Sequence, residues 1–177
     1  MKDESLAASQ NAADKSVVLM EDDGLLLPLD PSAKVLVVSP GKLYHDPASG
    51  WMNAVGMTMG EALEKHHGNV TKIELFYPPD VFYFDQVQSE AGAHDIILFA
   101  TLNAHYSEMH VEFAQAVADI GKPVIAVALG VPYDAADFTG YEAFVAVMGQ
   151  RSVSLEAAAK FLTGKIGANG TLPVEMP

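Results

Sequence analysis

Four short apolar runs divide the chain at regular intervals. They read KVLVVS at 34–39, DIILFA at 95–100, PVIAVAL at 123–129 and AFVAVM at 143–148. Their apolar residues are consecutive rather than alternating, which is typical of strands that are covered on both faces. A weaker run, KIELFY at 72–77, indicates a fifth strand, and VVLM at 17–20 is expected to add an edge strand.

Apolar residues at helical spacing lie between these runs. The spacing of three or four residues recurs in two sets, Met52, Val55, Met59 and Leu63, and Met109, Phe113, Val117 and Ile120. This spacing predicts a helix from each set, because it places the apolar side chains on one face. Ser107 is the expected N-cap of the second helix, and Gly121 is expected to end it.

The last helix has the clearest signals. We expect Ser152 to cap it, Glu156 and Lys160 to pair at i, i+4, and Gly164 to close it. Residues 81–90 are expected to form another short helix.

Strands that alternate with helices predict an α/β fold with right-handed crossovers. We expect a three-layer sandwich with a mostly parallel, five- to six-stranded sheet and helices on both faces. Counting the five runs along the chain, the expected order is 2-1-3-4-5, as in flavodoxin-like folds. Residues 1–30 would form a helix and a linking segment packed on a single α/β-sandwich domain at 31–177.

The composition limits the classes of binding partner that this chain is expected to have. The 177 residues include 23 acidic and 10 basic ones, and the formal net charge is −13. This balance argues against nucleic acid and against an anionic membrane surface as partners.

The absence of cysteine excludes disulfides and thiolate chemistry. The apolar runs are too short to span a bilayer and the N-terminus is polar, so we expect either a cytoplasmic protein or a leader outside this chain.

Polar and aromatic side chains follow the first and third strands. In open parallel sheets, ligands bind beyond the carboxyl ends of the strands near the switch in strand order. The loops PGKLYHDPASGW at 40–51 and TLNAHYSEMH at 101–110 would lie there. They supply five of the six candidate ligand-contact residues, and the sixth follows the run at 123–129: Tyr44, His45, Asp46, Asn103, His105 and Asp134. Asp134 has two interpretations, as the cap of a short helix that starts at Ala135 or as a contact with a ligand or a partner domain.

Motifs for catalysis and cofactors are absent from the sequence. It has no glycine-rich phosphate fingerprint and no serine nucleophile elbow. The five-residue gap between His105 and His110 is poorly matched to a metal site on one helix face. Asp46, Glu108 and Asp134 are carboxylates near the expected ligand edge, but the sequence does not fix their separation. We therefore predict no catalytic residue, no metal site and no cofactor in this chain.

Three blocks resemble the second domain of family 3 glycoside hydrolases, in family order. AADKSVVLMEDDGLLLPL at 12–29 resembles the segment that enters that domain, GKPVIAVALGVPYD at 121–134 its Pro-Tyr-Asp strand, and SLEAAAKFLTGKIGANGTLPVEM at 154–176 its closing helix and tail. The short Thr-x-Asn-Ala loop within ATLNAHYSEMH is most similar to the two-domain β-N-acetylglucosaminidases, or β-hexosaminidases. The β-glucosidase branch has a longer loop there, with an acid/base glutamate. The chain departs from the family at Glu21-Asp22, where Lys-Asn is usual, and at Ala168-Asn169, where a proline is common.

The resemblance implies retaining hydrolysis of O-glycosyl bonds by a longer enzyme. Its catalytic barrel domain, absent from this chain, would carry the nucleophilic aspartate and a histidine acid/base. The barrel domain would then be the partner of this domain, an amino-sugar glycoside its ligand, and the six residues above part of the substrate rim. The chain alone would be inactive. Two alternatives stay open: a free-standing binding or scaffold domain of the same fold, and a small independent enzyme that uses the loops after the first and third strands.

Overall fold

The computed structural model describes residues 2–23, 25–45, 48, 52–76, 79 and 81–176. The helices are α1 (Lys2–Ser16), α2 (Met59–Glu64), α3 (Val81–Ala91), α4 (Glu108–Ala118) and α5 (Ser152–Leu162). The strands are β1 (Val18–Asp22), β2 (Val35–Pro40), β3 (Leu43–His45), β4 (Met52–Ala54), β5 (Val70–Leu75), β6 (Ile96–Thr101), β7 (Val124–Ala128) and β8 (Ala143–Ala146). Two 3-10 helices span Ala104–Tyr106 and Pro132–Ala136.

Six strands form one mostly parallel sheet. The order is β1-β8-β7-β6-β2-β5, with every pair parallel except β1 and β8. The five predicted runs therefore pair as 2-1-3-4-5, and VVLM contributes to an antiparallel edge strand, as expected. The α/β sandwich prediction is confirmed.

The core lies on both faces of the sheet. Every residue of β2, β6, β7 and β8 is buried. Helix α5 packs against α1 and α2, and α3 packs against α4, so each face has a helical layer. The rings of Phe99 and Phe138 meet edge to face at 6.4 Å between centroids, and Phe113 packs on Phe99 at 5.9 Å. Such continuous burial removes the inner strands from any direct contact with ligands.

The C-terminal tail returns to the junction between α1 and β1. The N–H of Gly170 donates to the carbonyl of Val17 at 2.9 Å. A Cβ on Gly170 would lie 2.5 Å from the carbonyl oxygen of Ser16, so only glycine fits this approach. The tail thus fastens the segment through which the chain enters the sheet.

The predicted helix over 52–63 is wrong in its first half. Residues Met52–Ala54 form β4, which pairs antiparallel with β3. Helix α2 starts only at Met59, because Thr58 and Glu61 form a capping box. The N–H of Glu61 donates to Oγ1 of Thr58 at 3.3 Å, and the N–H of Thr58 donates to Oε2 of Glu61 at 3.1 Å. This reciprocal cap fixes the helix start downstream of the apolar spacing that suggested a longer one.

The predicted i, i+4 pair on α5 does not form. Lys160 pairs with Asp14 of α1 at 3.0 Å, and Glu156 pairs with Lys65 at 3.2 Å and with His66 at 2.6 Å. Partners on neighbouring helices therefore replace the local pair. Glu156 and Lys160 fasten α5 to α2 and α1 instead.

The predicted ends of helices α4 and α5 are correct to within one residue. Gly164 follows α5 with a φ of +72°, as a helix-closing glycine does. The N-cap of α5 is Arg151 rather than Ser152, which is the first helical residue. Ser107 occupies the predicted N-cap position of α4, but its side chain forms no capping hydrogen bond.

We predict that Leu98→Ala on β6 lowers the free energy of unfolding by about 2–5 kcal/mol, because the fully buried side chain leaves a cavity between the sheet and its helices. The matched control is Leu6→Ala on α1, where the side chain is 62% exposed and the expected change is within about 0.5 kcal/mol. Urea unfolding followed by circular dichroism measures both. Equal losses in the two variants would contradict the assignment of the core.

Candidate functional site

The loops after β6 and β7 are joined at the carboxyl edge of the sheet. Asn103 follows β6 in a left-handed conformation with a φ of +53°, a region that asparagine tolerates better than most residues. Its side-chain Oδ1 accepts a hydrogen bond from the N–H of Val131 at 3.0 Å. Asn103 therefore holds the two loops together.

Gly130 makes this contact sterically feasible. A Cβ at this position would lie 2.0 Å from Oδ1 of Asn103, well inside van der Waals contact. The requirement for glycine thus comes from the approach of the Asn103 amide.

Asp134 connects the same two loops from their buried side. It is fully buried, and its Oδ1 accepts a hydrogen bond from the backbone N–H of His105 at 3.0 Å. Burial raises the pKa of the Asp134 carboxyl; the N–H groups of His105 and Ala104 and the hydroxyl of Thr101 oppose that shift. The Thr101 hydroxyl lies near the carboxylate but makes no well-directed hydrogen bond.

The expected capping role of Asp134 is wrong. The 3-10 helix Pro132–Ala136 has Val131 at its N-cap, and Asp134 lies inside it. The carboxylate instead serves the start of the other 3-10 helix, Ala104–Tyr106. This long-range cap fixes where His105 emerges from the loop.

His105 stands at the surface above this buried pair. Its side chain is 39% exposed, and its Nδ1 lies 2.9 Å from Oδ2 of Asp137. Its ring packs at 5.3 Å from Tyr106 and at 5.6 Å from Tyr133, between centroids. The three rings and the Asp137 carboxylate form an exposed surface able to hydrogen-bond and stack on a ligand or a neighbouring domain.

The other three candidates lie on the excursion after β2. Tyr44 and His45 belong to β3, where they pair in register with Asn53 and Met52 of β4. Asp46 lies outside the described residues. The structure therefore brings together Asn103, His105 and Asp134 and places Tyr44 and His45 on a separate two-stranded ribbon.

A cleft at the same edge escaped the sequence analysis. Its volume is about 700 Å³, and it opens where β7 and β8 end; we call it the β7–β8 cleft. Its walls come from the segment after β4, the turn after β7 and the start of α5, and its lining residues are Ala54, Val55, Gly56, Leu129, Gly130, Met148, Gly149, Gln150, Arg151, Ser152 and Ser154. One signal that could have indicated it is the segment MGQRSVS, which follows the last strand and holds the only arginine of the chain.

The described part of the chain lacks a metal cluster and a membrane-spanning helix. No three histidine or acidic side chains there converge on a point that could hold a metal ion. Of the helices that the structure describes, none has the length and apolar character to cross a membrane.

Comparisons with solved structures place this fold inside longer enzymes. A glycoside hydrolase family 3 β-N-acetylglucosaminidase from a Paenibacillus species matches 93% of the chain with a TM-score of 0.82 and 23% identity. A fungal multi-domain β-N-acetylglucosaminidase of family 3 matches 95% with a TM-score of 0.71 and 19% identity. A β-glucosidase from Listeria innocua, solved with glucose, matches 93% with a TM-score of 0.71 and 22% identity.

The match spans a minor part of each enzyme. It covers 31% of the Paenibacillus chain, 19% of the fungal chain and 26% of the Listeria chain. No protein-family model matches the sequence, and no curated protein matches it. The chain is therefore similar in fold to one part of family 3 glycoside hydrolases, in which such a domain lies alongside others.

We predict that Asp134→Asn keeps the fold and changes how stability depends on pH. Because the folded-state pKa of Asp134 is raised, its contribution to stability is fully present below the unfolded pKa and is lost as the pH rises through the folded pKa. The asparagine variant should therefore gain stability relative to wild type as the pH rises above about 4, the usual pKa of an unfolded aspartate. Chemical unfolding at a series of pH values measures the difference.

Asp134→Ala is the matched control, since it removes the acceptor for the N–H of His105. We expect it to lose about 1–3 kcal/mol near neutral pH. A wild type that gains stability relative to Asp134→Asn as the pH rises would show that burial does not dominate.

We predict that Gly130→Ala destabilises the fold by about 1–3 kcal/mol, because the new methyl group must displace the Asn103 amide. The matched control is Gly92→Ala, at a glycine with no atom within 4 Å of the added methyl. Thermal unfolding should separate the two variants, and equal melting temperatures would contradict the close approach.

Proposed function

We propose that this chain is the C-terminal α/β-sandwich domain of a family 3 glycoside hydrolase of the β-N-acetylglucosaminidase branch. In the full enzyme, a separate barrel domain would hydrolyse O-glycosyl bonds with retention, through a glycosyl-aspartate intermediate. Residues 1–30 would link that barrel domain to the sandwich at 31–177. The sandwich would support the barrel domain and contribute loops to the rim of the sugar site.

The observation that carries this proposal is the match to the Paenibacillus β-N-acetylglucosaminidase. Its TM-score of 0.82 exceeds the 0.71 that both the fungal β-N-acetylglucosaminidase and the Listeria β-glucosidase reach at similar coverage of this chain. The compact loop after β6 supports the same branch. In it, Asn103 leads directly into the 3-10 helix Ala104–Tyr106, with no insertion.

The chemistry at the carboxyl edge supports a role without catalysis. A retaining glycosidase needs two carboxyl groups about 5–5.5 Å apart that flank the scissile bond. The described residues that line the β7–β8 cleft include no aspartate or glutamate. Asp134 is fully buried beneath the loops, and Asp137 is engaged with His105. The nucleophile and the acid/base would therefore come from the barrel domain.

The exposed surface around His105 is the part of this edge best suited to the rim. Asp134 and Asn103 anchor its two loops in the core, so the rings of His105 and Tyr133 are held in place at the surface. Preorganised aromatic and hydrogen-bonding groups of this kind bind sugar rings or a neighbouring domain at low entropic cost.

The alternative is a free-standing binding domain of the same fold. The β7–β8 cleft favours it, because its volume of about 700 Å³ falls within the usual range of small-molecule sites. In that case the reading frame upstream of Met1 would contain a stop codon rather than a barrel domain.

We predict that the purified 177-residue chain does not hydrolyse an aryl N-acetyl-β-glucosaminide, because the carboxylates described at the carboxyl edge, Asp134 and Asp137, are buried or paired with His105. The upstream reading frame should encode a barrel domain in frame, and the full-length product should turn over the same substrate. A family 3 β-N-acetylglucosaminidase assayed in parallel is the positive control. Turnover by the pure chain, or an upstream stop codon, would overturn the proposal.

A further inference from the structure

The β7–β8 cleft differs in charge from the rest of the molecule. The chain carries 23 acidic residues against 10 basic ones, yet none of the described residues that line the cleft is acidic. The single charge among them is Arg151, the only arginine of the chain. The described lining of this cleft thus pairs an arginine with polar and small side chains, and a guanidinium is well suited to bind a carboxylate.

The backbone of Arg151 is held by hydrogen bonds, whereas its side chain is exposed to solvent and can contact a ligand. Its carbonyl accepts hydrogen bonds from the N–H groups of Ser154 at 2.8 Å and Leu155 at 3.1 Å, which makes it the N-cap of α5. The side chain is exposed and forms no capping bond. Four lysines are paired with carboxylates, at positions 42, 65, 72 and 160, whereas no ion pair between described residues uses Arg151.

The remaining walls fit a ligand rich in hydroxyl groups. Gln150, Ser152 and Ser154 supply donors and acceptors along the side that Arg151 occupies. Gly149 lets the backbone pass close to Ser154, since a Cβ there would lie 2.6 Å from the serine Oγ. Glycine at this position thus leaves room for the Ser154 hydroxyl beside the backbone of the cleft wall.

We infer that the β7–β8 cleft binds a sugar acid, with its carboxylate on the Arg151 guanidinium. A guanidinium matches a carboxylate with two parallel N–H···O bonds, and it keeps its charge at any accessible pH. Hydroxyl groups of the sugar would bond to Gln150, Ser152 and Ser154. The choice of a sugar as the carrier of the carboxylate rests on the proposed function, whereas the anion site rests on the cleft alone.

The test is a titration of the 15N-labelled chain with D-glucuronate at neutral pH and low ionic strength, followed by NMR. For a ligand of this size we expect a dissociation constant on the order of 1 mM. The amide signals of Gly149, Gln150 and Ser152 should shift, and D-glucose should leave them unchanged. Added salt should weaken binding, because the contact is ionic and lies in an open cleft.

Two variants of Arg151 distinguish the effect of its positive charge on binding from the effect of its paired hydrogen-bond geometry. Arg151→Gln should weaken glucuronate binding about tenfold or more. Arg151→Lys should fall between that variant and wild type, since it keeps the charge but loses the paired geometry. The matched control is Lys34→Gln, which removes one positive charge at the opposite edge of the sheet, before β2, and should bind as wild type does. Circular dichroism checks that each variant is folded.

Three results would overturn the inference. They are no amide shifts with glucuronate, equal binding by folded Arg151→Gln, and binding of acetate or inorganic phosphate as tight as that of glucuronate. None of them touches the proposed function, which is tested with a neutral glycoside and the upstream reading frame. Conversely, glucuronate binding by a chain whose gene encodes no barrel domain would support this inference and overturn the other proposal.

Discussion

Coverage of the sheet on both faces is the constraint on which the rest of the structure depends. The strands β2, β6, β7 and β8 are buried along their whole length, so their side chains are committed to packing. Polar groups in such a sheet must lie where the strands end and the backbone turns back. Every polar feature with a candidate role in function lies in segments that follow strand ends.

The loops at this edge are held by buried polar groups rather than by apolar packing. Asn103 and Asp134 each use a side-chain oxygen to bind the backbone of the opposite loop, at Val131 and at His105 respectively. The two bonds run in opposite directions between the loops after β6 and β7. This mutual bracing lets an irregular surface keep one shape on a rigid sheet, as a binding or interdomain surface requires.

Sequence patterns predicted the strands well because a continuous apolar run is local to each strand, and the strand order followed from the fold class. Continuous apolar residues indicated the inner strands. The rule of right-handed crossovers then predicted a mostly parallel sheet with helices on both faces. The same reasoning failed at 52–63, because the helical spacing of Met52, Val55 and Met59 carried no sign of the ribbon that β4 forms with β3.

The candidate site was less predictable because its contacts are non-local. Asp134 and His105 are 29 residues apart, so the motif around Asp134 indicated a local cap or a ligand contact but not the bond to His105. The β7–β8 cleft is assembled from three separate segments, and only the one that holds Arg151 carries a signal in the sequence. On α5, Lys160 found its partner in Asp14, 146 residues away, where the sequence indicated Glu156. Local sequence patterns thus predicted the helices and strands. Contacts between residues far apart in the sequence became visible only in the three-dimensional structure.

The bond between Gly170 and Val17 has a consequence for how the fold is assembled into larger proteins. It places the point where the polypeptide leaves the sandwich beside the point where it joins the sheet. A unit whose entrance and exit adjoin can be spliced into a longer polypeptide as a cassette, without stretching or crossing its neighbours. One fold can then recur in enzymes of very different length, such as those in which the part of similar fold makes up 19% or 31% of the chain.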